Sequence, residues 1–98
     1  MNFRILNYFL TVAHEKNITK AAEILHITQP TLSRQLMQLE TALGVKLFDR
    51  DKHKFALTPS GQFLVERARE ILNMVEKTTL DIQEQEHNLA GSIAMGAG

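Results

Sequence analysis

The chain has 98 residues, of which 44% are hydrophobic, 22% are charged and none is cysteine, and its formal net charge is zero. This length suffices for one small domain with a modest core, and association with a second copy would add stability. The composition excludes a disulfide framework and thiolate chemistry, and no apolar run reaches membrane-spanning length.

The zero net charge conceals an asymmetry between the two halves of the chain. Residues 1–58 contain eight cationic and five anionic side chains, a charge of +3, whereas residues 59–98 contain three and six, a charge of −3. A basic half joined to an acidic half is typical of a nucleic-acid-binding domain attached to an element that does not contact nucleic acid.

Residues 3 to about 16 have the periodicity of an amphipathic helix. Leu6, Phe9, Leu10 and Ala13 follow the i, i+3, i+4, i+7 pattern. We expect this face to close the third side of a three-helix core.

Residues 17–43 predict two helices joined by a tight turn at residues 26–27. Asn17 or Thr19 could each cap the first helix, because both can accept a backbone N–H. The alanine pair at 21–22 leaves room for a second helix to cross closely, as a helix-turn-helix requires.

The second helix of this pair has a defined start and two different faces. Thr28 is its predicted N-cap, and Pro30 falls in the first turn, where a missing N–H loses no partner. Leucines recur at spacings of four, three and four and predict a buried face: Leu32, Leu36, Leu39 and Leu43. The opposite face, free of carboxylates until Glu40, carries amides, hydroxyls and a guanidinium.

Those polar groups suit DNA recognition, although an ordinary solvated helix face is the alternative. Gln can pair with adenine edges, Arg with guanine edges or phosphates, and hydroxyls with phosphate oxygens. The predicted major-groove residues are Gln29, Pro30, Thr31, Ser33, Arg34 and Gln38, and the predicted phosphate contacts are Thr19, Lys20 and Thr28.

A β-hairpin wing is predicted after Gly44, the residue expected to end the second helix in the left-handed conformation. Short apolar runs at residues 45–50 and 55–58 flank a polar tip. We predict that the tip contacts the DNA backbone or minor groove, while an ordinary charged loop, partly neutralised by Asp49 and Asp51, is the alternative. The tip residues concerned are Arg50, Lys52, His53 and Lys54.

Thr58 and Pro59 predict the start of a helix of about thirty residues, too long to be buried in so small a domain. Its apolar positions have heptad spacing, which indicates pairing with a second copy as a coiled coil, in an orientation that the spacing leaves open. The predicted dimerisation residues are Leu64, Ala68, Ile71, Leu72, Val75, Thr78, Ile82 and Leu89. Beyond residue 89 glycines and small residues replace charge, and we expect a loosely packed tail.

A string of anchors at fixed spacing resembles the N-terminal DNA-binding domain of LysR-type transcriptional regulators, over about residues 3–90. These anchors are Ala21, Ala22, Leu25, Gln29, Pro30, Ser33, Leu39, Glu40, Leu43, Gly44, Leu47, Phe48, Arg50, Leu57, Thr58 and Gly61.

The resemblance implies a mainly α fold, a winged helix-turn-helix followed by a linker helix. The expected division is a DNA-binding domain at 1–58, a linker and dimerisation helix at 59–89, and a hinge with the truncated start of an effector-binding domain at 90–98. It also implies a bacterial, cytoplasmic homodimer that binds an interrupted dyad in double-stranded DNA, tetrameric when full length. A small-molecule effector would bind only the missing C-terminal domain.

Chemistry beyond binding is not predicted. The sequence lacks a Gly-rich phosphate loop, zinc-ligand spacing and a nucleophile motif, so we expect no enzyme, no metal and no cofactor. The alternative function is a dimeric module whose helix-turn-helix docks a protein. Zero net charge favours that alternative, whereas the shortage of large apolar groups on the polar helix face counts against it.

Overall fold

The computed structural model describes residues 1–49 and 55–97, with side chains described as far as residue 88. Its elements are, in chain order, α1 (Phe3–Glu15), α2 (Ile18–Leu25), α3 (Gln29–Leu43), β1 (Phe48–Asp49), β2 (Ala56–Leu57) and α4 (Pro59–Ala97). This is the predicted mainly α fold, with three helices, a small hairpin and a long final helix.

Each of the first three helices begins at a side-chain cap. The side-chain oxygens of Asn2, Asn17 and Thr28 accept the backbone N–H three residues further on, at 2.9, 3.0 and 3.3 Å. Asn17, and not Thr19, is therefore the cap of α2. Because a cap satisfies a helix donor that has no partner within the helix, these residues determine where the helices start.

The same helices end at residues in the left-handed conformation. Lys16, His26 and Gly44 have φ values of 55°, 59° and 71°. Gly44 confirms the predicted end of α3, while Lys16 and His26 show that the two tighter connections impose this conformation on residues with a Cβ. A left-handed residue redirects the chain sharply, so α2 and α3 follow their predecessors with little intervening loop.

The hydrophobic core lies between α1, α2, α3 and the first turns of α4. Its largest fully buried side chains are Phe9, Val12, Leu32, Leu36 and Leu47. The buried face of α1 differs from the prediction. Ile5 and Val12 are buried, whereas Leu10 and Ala13 are only partly covered, because α1 packs against three helices and its buried face centres on Phe9.

Leu43 is the second departure from the predicted pattern. The first three leucines of the α3 stripe are buried as predicted, but the Leu43 side chain is 40% exposed at an open groove shared with Val45 and Phe63. The prediction that Leu43 is buried is therefore wrong. At the last residue of α3 the chain turns away through Gly44, so the described elements cover this side chain only in part.

The hairpin is short and is held against the core by aromatic side chains. β1 and β2 pair antiparallel, with Phe48 opposite Leu57 and Asp49 opposite Ala56. The centroid of the Phe48 ring lies 5.4 Å from the ring centroid of Phe9 on α1 and 5.1 Å from the ring centroid of Phe55. Two residues a strand are too few for independent stability, so this packing holds the hairpin in place.

The start of α4 is joined directly to the segment that leads into β1. The Thr58 hydroxyl donates to the Lys46 carbonyl at 2.6 Å, and the Thr58 N–H donates to the Leu47 carbonyl at 3.0 Å. The same hydroxyl accepts the Gly61 N–H at 3.0 Å, which confirms Thr58 as the cap. Gly61 is buried, and a Cβ placed there would overlap the Leu47 carbonyl oxygen.

α4 has 39 residues and extends well beyond the core. At the standard rise it is about 58 Å long, and every side chain from Asn73 to Asn88 is exposed. The prediction that the helix ends near residue 89 is wrong, because the backbone remains helical to Ala97. A glycine costs only about 1 kcal/mol relative to alanine within a helix, so Gly91 and Gly96 weaken this segment without breaking it. Among the described residues no helix is both long and apolar enough to cross a membrane.

Candidate nucleic-acid interface

The polar face of α3 lies open on the surface, as predicted. Gln29, Pro30, Arg34 and Gln38 are exposed, and Thr31 and Ser33 are half-buried. On the opposite side Leu32, Leu36 and Leu39 attach the helix to the core. The face therefore presents amides, hydroxyls and one guanidinium on a rigid support, an arrangement that can reach base edges and phosphates in a major groove.

Two of the predicted phosphate contacts are bonded to two of the predicted base-reading residues. The Thr19 hydroxyl, in the first turn of α2, donates to Gln29 Oε1 at 3.1 Å. The Thr28 hydroxyl donates to Thr31 Oγ1 at 2.7 Å. The four side chains thus form two pairs at the N-terminal end of α3.

Lys20 stands beside these pairs on α2. Its Nζ lies 3.8 Å from Glu15 Oε1, and its side chain is 65% exposed. An exposed ion pair at this distance contributes at most about 1 kcal/mol, so the ammonium group can leave Glu15 for a stronger anion. The placement agrees with a phosphate contact, which stays a prediction.

The described strands of the hairpin are joined to α3 through Glu40, whose Oε2 atom accepts the Phe48 N–H at 3.3 Å. Asp49 and Phe55 are the described residues on either side of its tip. The predicted tip contacts, Arg50, Lys52, His53 and Lys54, lie outside the described residues. Their contacts with DNA stay predictions.

Glu40 has a role that sequence reasoning missed. It was predicted to lie on the exposed face of α3, but its side chain is 4% exposed. Its Oε2 atom accepts the Leu47 N–H at 2.7 Å and the Phe48 N–H at 3.3 Å. The carboxylate thereby ties the C-terminal half of α3 to the start of β1. Its spacing of four from Leu36 was the signal that it belongs to the buried face.

The predicted dimerisation residues divide into three groups along α4. Leu64 and Ala68 are buried within the chain itself, where α1 and the hairpin cover this first stretch of α4, and their part in a dimer stays a prediction. Ile71 and Leu72 are partly buried against the same core. Val75, Thr78 and Ile82 are exposed, and the side chain of Leu89 lies outside the described residues.

Metal-binding and membrane-spanning features are not found in the part of the chain that the structure describes. Within it, no three His, Asp or Glu side chains come close enough together to hold a metal ion.

Three packed helices with an exposed polar third helix and an adjoining hairpin define a winged helix-turn-helix, a class of DNA-binding domain. Residues 3–62 match the family described as bacterial regulatory helix-turn-helix protein, lysR family. The chain belongs to this family, as the resemblance predicted, and comprises its helix-turn-helix domain with the helix that follows.

Known relatives are transcription regulators. The regulator BsdA of Bacillus subtilis is 49% identical over 98 residues, which are 99% of this chain and 34% of that protein. The Hca operon transcriptional activator HcaR of Escherichia coli is 46% identical over 80 residues, which are 82% of this chain and 27% of that protein. The chain thus spans about a third of the length of the curated relatives that it matches.

Solved structures with the same fold include two complexes with DNA. The DNA-binding domain of BenM bound to benA site 1 DNA superposes with a TM-score of 0.84 at 37% identity, covering 88% of this chain and 97% of that one. The DNA-binding domain of CbnR in a DNA complex superposes with a TM-score of 0.82 at 37% identity, covering 88% and 99%.

Proposed function

We propose that this chain is the sequence-specific DNA-reading part of a LysR-type transcription regulator and that it binds double-stranded DNA as a homodimer. The exposed polar face of α3 carries the proposal. Gln29, Arg34 and Gln38 are exposed side chains on the helix that other helix-turn-helix proteins insert into the major groove. The two DNA complexes of similar structures support the same use of the fold.

The proposed dimer uses the part of α4 whose described side chains, from Asn73 to Asn88, are all exposed. Val75, Thr78 and Ile82 lie at spacings of three and four, so they share one face of the helix, and all three are exposed. Apolar side chains along one face of a projecting helix are stabilised when a second helix buries them. Two recognition helices related by a twofold axis would then match an interrupted dyad, with half-sites one helical turn or a multiple apart.

The other expectations belong to the same proposal. We assign the protein to the bacterial cytoplasm and assign no catalytic activity or cofactor to this chain. A tetramer and a small-molecule effector would require the further length that the relatives possess. The wing, through Arg50, Lys52, His53 and Lys54, would contact the backbone or minor groove beside α3.

The direct test is selection of bound sequences from a random DNA pool at moderate salt, with the mass of the free chain and of the complex recorded. We expect enrichment of a two-armed dyad bound by two copies. A dimer that enriches no sequence would favour the alternative, in which the helix-turn-helix docks a protein. Binding that weakens steeply with added salt would favour DNA, because counterions are released when phosphates are contacted.

Arg34→Ala tests the recognition helix within that experiment. If Arg34 reads a base, its loss should cost about 1–3 kcal/mol on the selected site and relax preference at one position. Arg69→Ala, which removes the same charge from an exposed position on α4, is the matched control and should change binding little. If Arg34→Ala weakened binding to selected and random DNA equally, Arg34 would contact a phosphate and would not read a base.

A further inference from the structure

A hydrogen bond joins the first turns of the two helices of the helix-turn-helix. The Thr19 hydroxyl on α2 donates to Gln29 Oε1, the first residue of α3, at 3.1 Å, and both side chains are exposed. Thr19 was predicted to contact a phosphate and Gln29 to read a base. The bond instead makes the two side chains a single unit.

Because a hydroxyl has only one proton, Thr19 cannot donate to Gln29 and to a phosphate at the same time. A threonine hydroxyl has one proton to donate, and a phosphate oxygen can only accept. While Thr19 donates to Gln29, it has no proton left for a phosphate. The bond therefore competes with the phosphate contact predicted for Thr19.

The Thr28 and Thr31 pair shows the same direction of hydrogen bonding. Thr28 donates its proton to Thr31 Oγ1 at 2.7 Å and accepts the Thr31 N–H as the helix cap. The Thr31 hydroxyl keeps its own proton and can donate it outward. At this end of α3, Gln29 Oε1 and Thr31 Oγ1 each accept one bond within the protein, while the Gln29 amide N–H groups and the Thr31 hydroxyl proton stay available to donate.

The bond between Thr19 and Gln29 is not explained by the stability of the fold. α2 and α3 are already capped by Asn17 and Thr28, and they pack through buried residues that include Ala21 and Leu32. An exposed hydrogen bond adds little to such a scaffold, because water competes for both groups. Its specific effect is on the conformation of the Gln29 side chain, which is otherwise free to rotate.

Resting on the proposed function, we propose that Thr19 is a positioning residue that sets the base preference of Gln29. With one oxygen lone pair bonded to Thr19, the plane of the Gln29 amide is held, and its two N–H donors and remaining lone pair are left for another partner. Bidentate recognition of adenine needs one N–H and one lone pair in a common plane. Fixing this plane before binding removes the conformational cost of ordering a long side chain on DNA.

The test compares the unmodified chain with Thr19→Val, Thr19→Ser and Gln29→Ala, measured on the selected site, on its single-base variants and on random DNA. Valine keeps the shape of threonine without its hydroxyl, and serine keeps the hydroxyl. Thr11→Val is the matched control, because that hydroxyl bonds within α1, to the Asn7 carbonyl at 2.8 Å. Thermal unfolding of each variant verifies that the fold is intact.

We expect Thr19→Val to lower discrimination about two- to tenfold at the base position that Gln29→Ala also affects, a range set by the cost of ordering one side chain. Affinity for random DNA should stay within about twofold by the same reasoning. Thr19→Ser should restore the preference. The double variant Thr19→Val with Gln29→Ala should bind no worse than Gln29→Ala alone, because both changes remove the same interaction.

Four results would overturn the proposal. Equal loss by Thr19→Val on selected and random DNA would make Thr19 a phosphate contact. Additive losses in the double variant, or an unchanged base preference in Gln29→Ala, would show that Thr19 does not act through Gln29. If the unmodified chain bound no DNA in this assay, the proposed function itself would fail, and this inference with it.

Discussion

Replacing Gly61 with alanine tests the close packing between α4 and the segment before β1. From helix propensity alone, Gly61→Ala should stabilise the protein, because alanine is favoured over glycine in a helix by about 1 kcal/mol. The structure reverses that expectation. The new Cβ would overlap the Leu47 carbonyl oxygen and lie 3.0 Å from Leu57 Cδ2. The oxygen belongs to the backbone, so it cannot move aside as the end of a flexible side chain would.

The expected cost follows from what must shift. Overpacking of a well-packed site costs about 1–3 kcal/mol. Displacing Leu47 also weakens the hydrogen bond that its carbonyl accepts from the Thr58 N–H at 3.0 Å, for which about 1 kcal/mol is typical. After the gain in propensity is subtracted, we expect a net loss of about 2 kcal/mol. For a domain of this size that corresponds to a fall in Tm of about 8–16 °C.

The assay is thermal and urea unfolding followed by circular dichroism, at one fixed protein concentration because association raises apparent stability. Ser60→Ala, an exposed change in the same helical turn, is the matched control and should be neutral or slightly stabilising. If the Gly61→Ala variant were as stable as the unmodified chain, the predicted clash with the Leu47 carbonyl would be refuted. It would mean that the start of α4 can move away from Leu47 at no cost.

Two further changes test the other contacts of the long helix and the wing. Glu40→Ala removes the acceptor of two backbone N–H groups and should lower the free energy of unfolding, measured in urea, by about 3 kcal/mol. Glu40→Gln keeps a neutral acceptor and should lower it by only about 1 kcal/mol. Equal losses for the two variants would show that Glu40 does not act by hydrogen bonding to Leu47 and Phe48. Ile82→Lys places a charge on the proposed dimer face and should lower the mass measured by sedimentation, while Gln83→Lys adds the same charge one residue away and should lower it less. An unchanged mass for Ile82→Lys would show that the dimer forms elsewhere.

Helix starts were predictable because capping is local. The chemistry that starts α3 lies within four residues, in the Thr28 cap and the proline that follows. The same holds for Thr58 and Pro59 at the start of α4. Gly44 likewise ends α3 through its own backbone conformation, with φ of 71°. The polar composition of the exposed α3 face also follows from spacing alone, since side chains three and four residues apart share a face.

The buried positions were decided by elements distant in the chain. Glu40 is polar, but it is buried because the start of β1 brings two N–H groups to its carboxylate. Leu64 and Ala68 have the spacing of a dimer seam, but the core of their own domain covers them. The spacing of apolar residues shows that one face of a helix is apolar, but only the tertiary structure determines which element packs against that face.

What the sequence by itself determined is the set of elements, their order and the side chains that α3 exposes. The tertiary structure determined three further contacts. Thr19 bonds to Gln29, Glu40 joins α3 to the start of β1, and the Leu47 carbonyl packs closely against Gly61, which has no Cβ. Each joins residues between seven and fourteen positions apart in the chain. Local preferences act over about one helical turn, so contacts at these separations exist only once the helices and the hairpin have packed.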